Sequence, residues 1–339
     1  MATVREDWLK LTIEDAVEPE LLICDAHHHL WPQTDNGYSI ADFLQDVSGG
    51  HHIVRTVFVE SWRMFRQGSP QEMPPVVETE YVENIVSQSA SSTNVAAGIV
   101  GFADLTSGAA VSPVLEAHIA AAKGRFCGIR QTSTWDASPE IRSTSRGLLL
   151  DPEFRKGFAC LQQYGLSFEA WLYHPQLMEL ADLAGAFPDT TIVVNHCGGP
   201  LGIGPYARNR ERVFQDWKRG IAALAVCRNV FLKLGGLGME ICGFGWQERP
   251  VPPTSIELAD VMAPYFYWCI EQFGVSRCLF ESNFPVDKRA YSYTVLWNAF
   301  KRVIKNFSLS EKNALLHDTA VRVYRLLPND RLAGLSGVN

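Results

Sequence analysis

The chain has 339 residues, of which 47% are hydrophobic and 20% charged, and its formal net charge is -7. This composition is typical of a globular protein with a large core, and the acidic balance argues against nucleic-acid binding, which needs a basic surface. The eight cysteines are scattered and the start lacks a signal-peptide pattern, so we expect a cytoplasmic protein. No apolar run approaches the roughly 20 residues of a membrane-spanning helix, so we expect the protein to lie outside membranes.

Eight short apolar runs, each ending near polar residues, alternate with helical patterns. The runs cover 21–29, 54–61, 95–105, 125–132, 165–174, 191–199, 229–236 and 277–285. Helical spacing lies between them at 111–124, 175–189, 211–227 and 260–274. Continuous apolar strands indicate a parallel sheet covered on both faces, and eight strand–helix units predict one (β/α)8 barrel over 1–339. A doubly wound open sheet is the alternative, although no G-x-G-x-x-G follows the first strand.

Two segments lack a strong period, 30–53 and 236–256, and the second is rich in glycine and proline. Both are predicted to be long loops over the mouth of the barrel. Long loops in compact domains are often functional lids.

Three consecutive histidines end the first run, and further histidines end the fifth and sixth. His27 and His29 share one face of a strand, and His28, on the other face, is expected to be an ordinary packing residue. Barrel active sites lie at the C-terminal ends of the strands, so His27 and His29 could converge there with His174 and His196. Such a group can bind one metal ion or polarise one substrate oxygen.

These motifs resemble the amidohydrolase superfamily, in the branch of small barrel hydrolases that includes 2-pyrone-4,6-dicarboxylate lactonase and sugar lactonases. The matching segments, spread over about 20–328, are DAHHHLWP, GIRQT, LSFEAWLYHPQL, FPDTTIVVNHCGGP, NVFLKLGGL, LFESNFPVDK and ALLHDTAVRVYRL. The resemblance implies a distorted (β/α)8 TIM barrel with hydrolase activity. It also implies His27 and His29 as the first-strand pair and His196 as the sixth-strand histidine.

The predicted substrate-binding residues are Arg130, His174, Lys233, Glu60 and Trp31. Arg130 matches an arginine that binds substrate carboxylate in lactonase relatives, a task suited to the guanidinium fork, and a structural ion pair is its alternative role. Lys233 stands at the seventh-strand position, where substrate binding and a packing role are both open. Aromatic residues near the strand ends could line a pocket for an apolar or aromatic-sized substrate, namely Trp31, Trp62, Trp135, Trp171, Trp246 and Phe284.

Other acidic residues lie near the strand ends. Glu169 lies within the fifth run with parity opposite to His174, so a regular strand cannot direct both inward unless a bulge intervenes. Asp104 ends the third run. Asp287 and Lys288 follow the eighth run and are interpreted as a surface or cap pair.

The eighth strand departs from the family pattern. The family usually has Gly-Ser-Asp-Trp-Pro where this chain has ESNFP at 281–285, so Asn283 replaces the aspartate that serves as general base. An amide cannot take a proton from water. One hypothesis is that the carboxylate has moved to Glu281, which shares a strand face with Asn283. The other is that Glu281 makes a buried ion pair with Lys233 or Arg130, and a histidine is the base.

The sequence leaves open whether the site binds a metal ion. His27, His29 and His196 could supply three nitrogens to a divalent ion, zinc first, since a catalytic zinc takes three protein ligands and a water. Without the eighth-strand aspartate nothing obvious orients a bound water, so a centre that requires no metal is the other reading.

The predicted function is hydrolysis of a lactone or related cyclic ester from a small carboxylated or aromatic-derived metabolite. The residues expected to act on it are His27, His29, His196, Glu281 and Asn283. The alternatives are a decarboxylase or other lyase on the same barrel, and a non-catalytic ligand-binding barrel. The expected partner is a small molecule, without nucleic acid or membrane, and a homodimer is compatible with the resemblance.

Overall fold

The computed structural model describes residues 4–32, 37–61 and 75–326, so Trp62 lies outside the described residues. Eight parallel strands pair in chain order. They are β1 (Leu22–His28), β2 (His52–Val59), β3 (Asn94–Gly101), β4 (Phe126–Arg130), β5 (Ser167–Ala170), β6 (Ile192–Val194), β7 (Val230–Leu234) and β8 (Cys278–Phe280).

The sheet is nearly closed through the residues that follow β8. The backbone nitrogen of Asn283 donates to the carbonyl of His27 at 2.9 Å, and that of His29 donates to Phe284 at 2.8 Å. The predicted (β/α)8 barrel is therefore confirmed, and the open-sheet alternative is wrong. The closure brings the end of β1 against the segment after β8.

Eleven helices accompany the strands in the described residues. They are α1 (Glu6–Leu9), α2 (Ile40–Val47), α3 (Val76–Ser87), α4 (Ser112–Ala121), α5 (Pro152–Gln163), α6 (Leu177–Ala186), α7 (Arg210–Ala225), α8 (Ser255–Phe273), α9 (Tyr293–Val303), α10 (Leu309–Asn313) and α11 (Thr319–Val323). The four helical patterns seen in the sequence correspond to α4, α6, α7 and α8. Within the described part of the chain, no helix combines the length and the apolar character needed to cross a bilayer.

Local capping explains a helix that the sequence prediction missed. The segment 30–53 was expected to be a loop, but it contains α2. Ser39 accepts a hydrogen bond from the backbone of Asp42, whose carboxylate in turn accepts from the backbone of Ser39, which completes a capping box. Phe43 and Val47 then bury one face of the helix. The segment 236–256 holds only short 3-10 turns between irregular stretches, as expected.

The barrel interior is closed below the histidines by the C-terminal turn of the described chain. Tyr324 and Leu326 pack against inward-facing strand residues, including Cys24, Val100 and Cys127. The Tyr324 hydroxyl donates to Glu169 Oε1 at 2.5 Å. A carboxylate buried inside the barrel therefore depends on a residue close to the end of the described chain.

Removing the Tyr324 hydroxyl tests this dependence. Tyr324→Phe should lower the free energy of unfolding by about 1–3 kcal/mol, because it withdraws a donor from a buried carboxylate. Tyr267→Phe is the control, since the half-exposed Tyr267 hydroxyl donates to the Val303 carbonyl. Urea denaturation measures both variants, and an equal loss in the two would contradict a special role for Tyr324.

Candidate active site

The ends of β1, β6 and β8 bring His27, His196 and Glu281 together. Glu281 Oε1 accepts from the His196 backbone nitrogen at 2.9 Å and lies 2.7 Å from His196 Nδ1. Glu281 Oε2 lies 2.9 Å from His27 Nδ1, but this contact is poorly directed, so Oε2 remains an under-satisfied acceptor. The two oxygens of one carboxylate therefore each face an imidazole.

Two glycines of the seventh-strand motif make room for this arrangement. A Cβ on Gly236 would lie 2.5 Å from the His196 ring, and one on Gly235 would lie 2.5 Å from Glu281 Cγ. His196 itself has a positive φ of 52°, a conformation that costs energy for a residue with a side chain. The backbone is thus held in an unfavourable state to bring this imidazole to Glu281.

His27 lies between two cationic side chains. Lys233 Nζ is 3.3 Å from its Nδ1, and Arg130 NH1 is 3.3 Å from its Nε2. Burial first, and then the charge of Lys233, hold the pKa of His27 well below its usual value. His27 is therefore a neutral imidazole at physiological pH.

His29 is also neutral. Its Nδ1 is 2.7 Å from the carbonyl oxygen of Val59, so the proton belongs on Nδ1 and the lone pair on Nε2. Burial, followed by the charge of Arg130, lowers its pKa well below the usual value. His28 packs away from the site: it stacks on Phe43 and its Nε2 is 2.8 Å from the Thr56 hydroxyl.

The two cations next to His27 each have a carboxylate partner. Arg130 Nε donates to Glu60 Oε1 at 2.6 Å, and its NH2 donates to the Glu60 carbonyl. Lys233 Nζ lies 2.8 Å from Glu169 Oε2, and both side chains are fully buried. Arg130, Glu60 and Lys233 are thus brought near the histidines, whereas the ion pair of Glu281 with Lys233 or Arg130 that the sequence allowed is not formed. Glu169 faces inward, so by its opposite parity His174 is not expected to do the same.

His174 is not brought into this cluster. Its Nδ1 accepts from the backbone of Leu201 at 3.2 Å, and its ring contacts that of Tyr206 edge-on, at 5.3 Å between centroids. It lies on a groove of about 770 Å³ between α6 and α7, and burial lowers its pKa to about 4. The substrate-binding role predicted for His174 stays a prediction, at a place away from the histidine cluster.

Two of the predicted pocket aromatics approach the histidines. The Trp171 ring lies 4.7 Å from that of His196, and Trp31 lies 6.4 Å from His29. The others pack elsewhere: Trp135 under Arg146, Trp246 beside Phe244, and Phe284 against Tyr293.

A model of the family described as "Amidohydrolase" matches residues 24–326 of the chain. The chain belongs to the amidohydrolase family. It is 32% identical over 329 residues to the protein y4mH of Sinorhizobium fredii, which covers 91% of this chain and 99% of that protein. It is 26% identical over 143 residues to the L-rhamnono-gamma-lactonase of Scheffersomyces stipitis, or 40% of this chain and 41% of that one.

Solved structures share the fold. An amidohydrolase from Burkholderia multivorans has a TM-score of 0.66 at 20% identity, covering 90% of this chain and 100% of that one. A probable 2-pyrone-4,6-dicarboxylic acid hydrolase from Acinetobacter baumannii has a TM-score of 0.60 at 11% identity, covering 89% and 99%. The 5-carboxyvanillate decarboxylase of Sphingomonas paucimobilis has a TM-score of 0.53 at 13% identity, covering 91% and 100%. At these identities the likeness establishes the barrel alone.

The segment after β8 in this amidohydrolase holds a residue that the sequence interpretation missed. Asp287 and Lys288 were interpreted as a surface or cap pair, but both are buried. Asp287 accepts from the Asn283 amide at 2.8 Å, and burial raises its pKa to about 6. Lys288 instead bridges Glu6 and Asp46. The spacing of four residues from Asn283 was the signal in the sequence.

Asp25 is a second buried acid that sequence reasoning passed over. Its Oδ1 accepts from the backbone nitrogens of Ser282 and His27, and its Oδ2 accepts from the Tyr293 hydroxyl at 2.9 Å. Asp25 therefore ties the end of β1 to the segment after β8. Its parity with His27 on the first strand was the available signal.

The distances among His27, His196 and Glu281 show whether these residues are arranged to bind a metal ion. Among the described residues, His27, His196 and Glu281 have potential ligand atoms within 4.8 Å of one another, and a related barrel from B. multivorans was solved with zinc bound. Ligands of one tetrahedral zinc lie about 3.4 Å apart, whereas the Glu281 oxygens lie 2.7 and 2.9 Å from the imidazoles, which are hydrogen-bond distances.

The positive charges around His27 also disfavour the binding of a metal ion. Lys233 and Arg130 each lie 3.3 Å from one of its ring nitrogens, and these two positive charges oppose a third. His29 does not join the group of three. The residues present therefore do not fit a catalytic zinc.

The buried His28 predicts a pH dependence of stability. Burial lowers its folded-state pKa to about 3, whereas the unfolded value is about 6.5, so the unfolded chain binds the extra proton. Its contribution is therefore present above pH 6.5 and lost as pH falls towards 3. Between pH 7.5 and 5 this amounts to about 2 kcal/mol.

Urea titrations at pH 7.5 and pH 5 measure the free energy of unfolding of the wild type and of His28→Gln. The fall in this free energy between the two pH values should be about 2 kcal/mol smaller in His28→Gln than in the wild type. His52→Gln, at an exposed position, is the control and should behave as the wild type. An unchanged pH difference in His28→Gln would refute the assignment.

Proposed function

We propose that this amidohydrolase is a lactone-opening hydrolase in which His196 is the general base and Glu281 orients it. The observation that carries the proposal is the contact of His196 Nδ1 with Glu281 Oε1 at 2.7 Å. This contact places the proton on Nδ1 and leaves Nε2, on the opposite side of the ring, to act on a water. Glu281 has no exposed surface, whereas His196 keeps 3%, so the proton of the water goes to the imidazole and not directly to the carboxylate.

The surroundings of the two imidazoles support this division of roles. His27 faces Lys233 and Arg130, which disfavour a positive charge on its ring. His196 faces the Glu281 carboxylate, which stabilises the imidazolium that forms when the base takes a proton. The two imidazoles thus face groups of opposite charge.

The reaction follows from these positions. A water held at His196 Nε2 attacks the lactone carbonyl carbon while its proton passes to that nitrogen. The negative charge on the carbonyl oxygen is stabilised by N–H groups of Arg130 that Glu60 does not occupy. The ring C–O bond then breaks, and the leaving alkoxide takes the proton from His196. One lactone and one water give one hydroxy acid.

The charge balance favours a neutral substrate. In the described part of the site, the Arg130 charge is matched by Glu60 and the Lys233 charge by Glu169. A substrate carboxylate would therefore meet no unpaired cation there. With Trp31 and Trp171 as apolar walls, we expect a neutral, sugar-derived lactone, in keeping with the L-rhamnono-gamma-lactonase relative. The proposal keeps the expectation of a cytoplasmic enzyme whose partner is a small molecule.

Glu281→Gln tests the role of the carboxylate. The amide cannot stabilise the imidazolium and can favour the wrong tautomer of His196, so kcat on a responsive lactone should fall by about 10³-fold or more. Ring opening is followed by proton release with a pH indicator over a panel of neutral and carboxylated lactones. Glu179→Gln on α6 is the matched control, and circular dichroism checks the fold of both variants.

Full activity of a folded Glu281→Gln variant would contradict the proposal. Restoration of His196→Ala activity by added imidazole would identify His196 as the base. Carbon dioxide release from carboxylated aromatics, without turnover of any lactone, would instead favour the decarboxylase alternative. Binding without turnover of any compound would favour a ligand-binding barrel.

Metal removal gives a separate prediction. Dialysis against a chelator should leave kcat within about two-fold, and added zinc should inhibit, because it would compete with the hydrogen bonds of Glu281. Metal content of the purified protein, measured by mass spectrometry, should be well below one ion per chain. Loss of activity on chelation, restored by zinc, would contradict the assignment.

A further inference from the structure

The amide of Asn283 is held by a buried carboxylate one turn further along the chain. Asn283 Nδ2 donates to Asp287 Oδ1 at 2.8 Å. The other oxygen, Oδ2, accepts from the Tyr291 hydroxyl at 2.7 Å and from the Gly238 backbone nitrogen at 3.0 Å. Asp287 thus joins the segment after β8 to the long segment 236–256.

This network settles the orientation of the amide. An ionised carboxylate only accepts hydrogen bonds, so the end of the amide that faces Asp287 must be the NH2 group. The Asn283 Oδ1 then points to the opposite side. The backbone of Asn283, with a φ of 56°, donates to the His27 carbonyl at 2.9 Å, so the residue itself lies at the rim that carries the histidines.

We propose that Asp287 is a positioning residue that fixes the Asn283 amide so that its Oδ1 accepts a hydrogen bond from the attacking water or a substrate hydroxyl. The inference rests on the function proposed above. At this position the amide keeps the acceptor oxygen of a carboxylate without its basicity. Proton uptake by His196 and orientation of the nucleophile by Asn283 are then separate tasks.

Exchange of the two side chains tests the pairing without an activity assay. Asn283→Asp places two buried carboxylates in contact, which should lower Tm by about 5 °C or more. Asp287→Asn leaves two amides that can still form one hydrogen bond, so the fall should be smaller. The double variant N283D/D287N restores one carboxylate and one amide, and its Tm should return close to that of the wild type.

Kinetics then separate positioning from mere stabilisation. Asp287→Asn allows the Asn283 amide to rotate so that its oxygen and nitrogen exchange places. We therefore expect kcat on a neutral lactone to fall about 10-fold while KM changes by less than two-fold. Asp182→Asn, on the exposed side of α6, is the control for an aspartate-to-asparagine change.

Two results would overturn the inference: an Asn283→Asp variant as stable as the wild type, or a folded Asp287→Asn variant with unchanged kcat. A double variant no more stable than Asn283→Asp would also count against the pairing. If the wild type opens no lactone, the proposed function fails, but the Tm series still reports on the orientation of the amide.

Discussion

A single buried carboxylate determines the arrangement of this active centre. A charge with no exposed surface is costly unless other groups stabilise it, and Glu281 Oε1 is hydrogen-bonded to the backbone and ring of His196, while Oε2 faces the ring of His27. These contacts are available only because Gly235 and Gly236 leave space beside them. The positive φ of His196 is a further cost that the same contacts offset.

Paired charges around the centre give its histidines different chemistry. Lys233 is fully buried, and it is held by Glu169, which also accepts from Tyr324. The cation can therefore stay beside His27 without contact with solvent. The C-terminal turn of the described chain thus contributes to the electrostatics of the rim, although it packs inside the barrel beneath the histidines.

Much of the fold follows from local patterns in the sequence. The eight strands are continuous apolar runs, and the parity of His27 and His29 on the first strand indicated that they share one face. The helix α2 was missed because it is short and amphipathic over only two turns, so the Ser39 capping box was its main signal. Opposite parity also indicated that Glu169 and His174 cannot both face inward on a regular strand, and only Glu169 does so.

Contacts between distant segments could not be predicted from the sequence, because they depend on how separate strands and loops pack together. Whether Arg130 meets Glu60 or a substrate depends on the register of neighbouring strands, which no single segment specifies. Asp287 looked like a surface residue because a charged pair after a strand is usually solvated. Its burial results from the packing of the segment 236–256 over it, a long-range event.

Glu281 and Asn283, which stand where the family pattern has a glycine and an aspartate, are best understood as one change. A carboxylate at position 283 would lie at hydrogen-bond distance from Asp287, because the Asn283 amide nitrogen is only 2.8 Å from it. Two ionised groups that close together in a buried site repel strongly, so one must be neutral. With Asp287 anchored by Tyr291 and Gly238, the neutral member is residue 283, and the acid that serves the histidines has to come from elsewhere. Glu281, which meets both imidazoles, is the residue in a position to supply it.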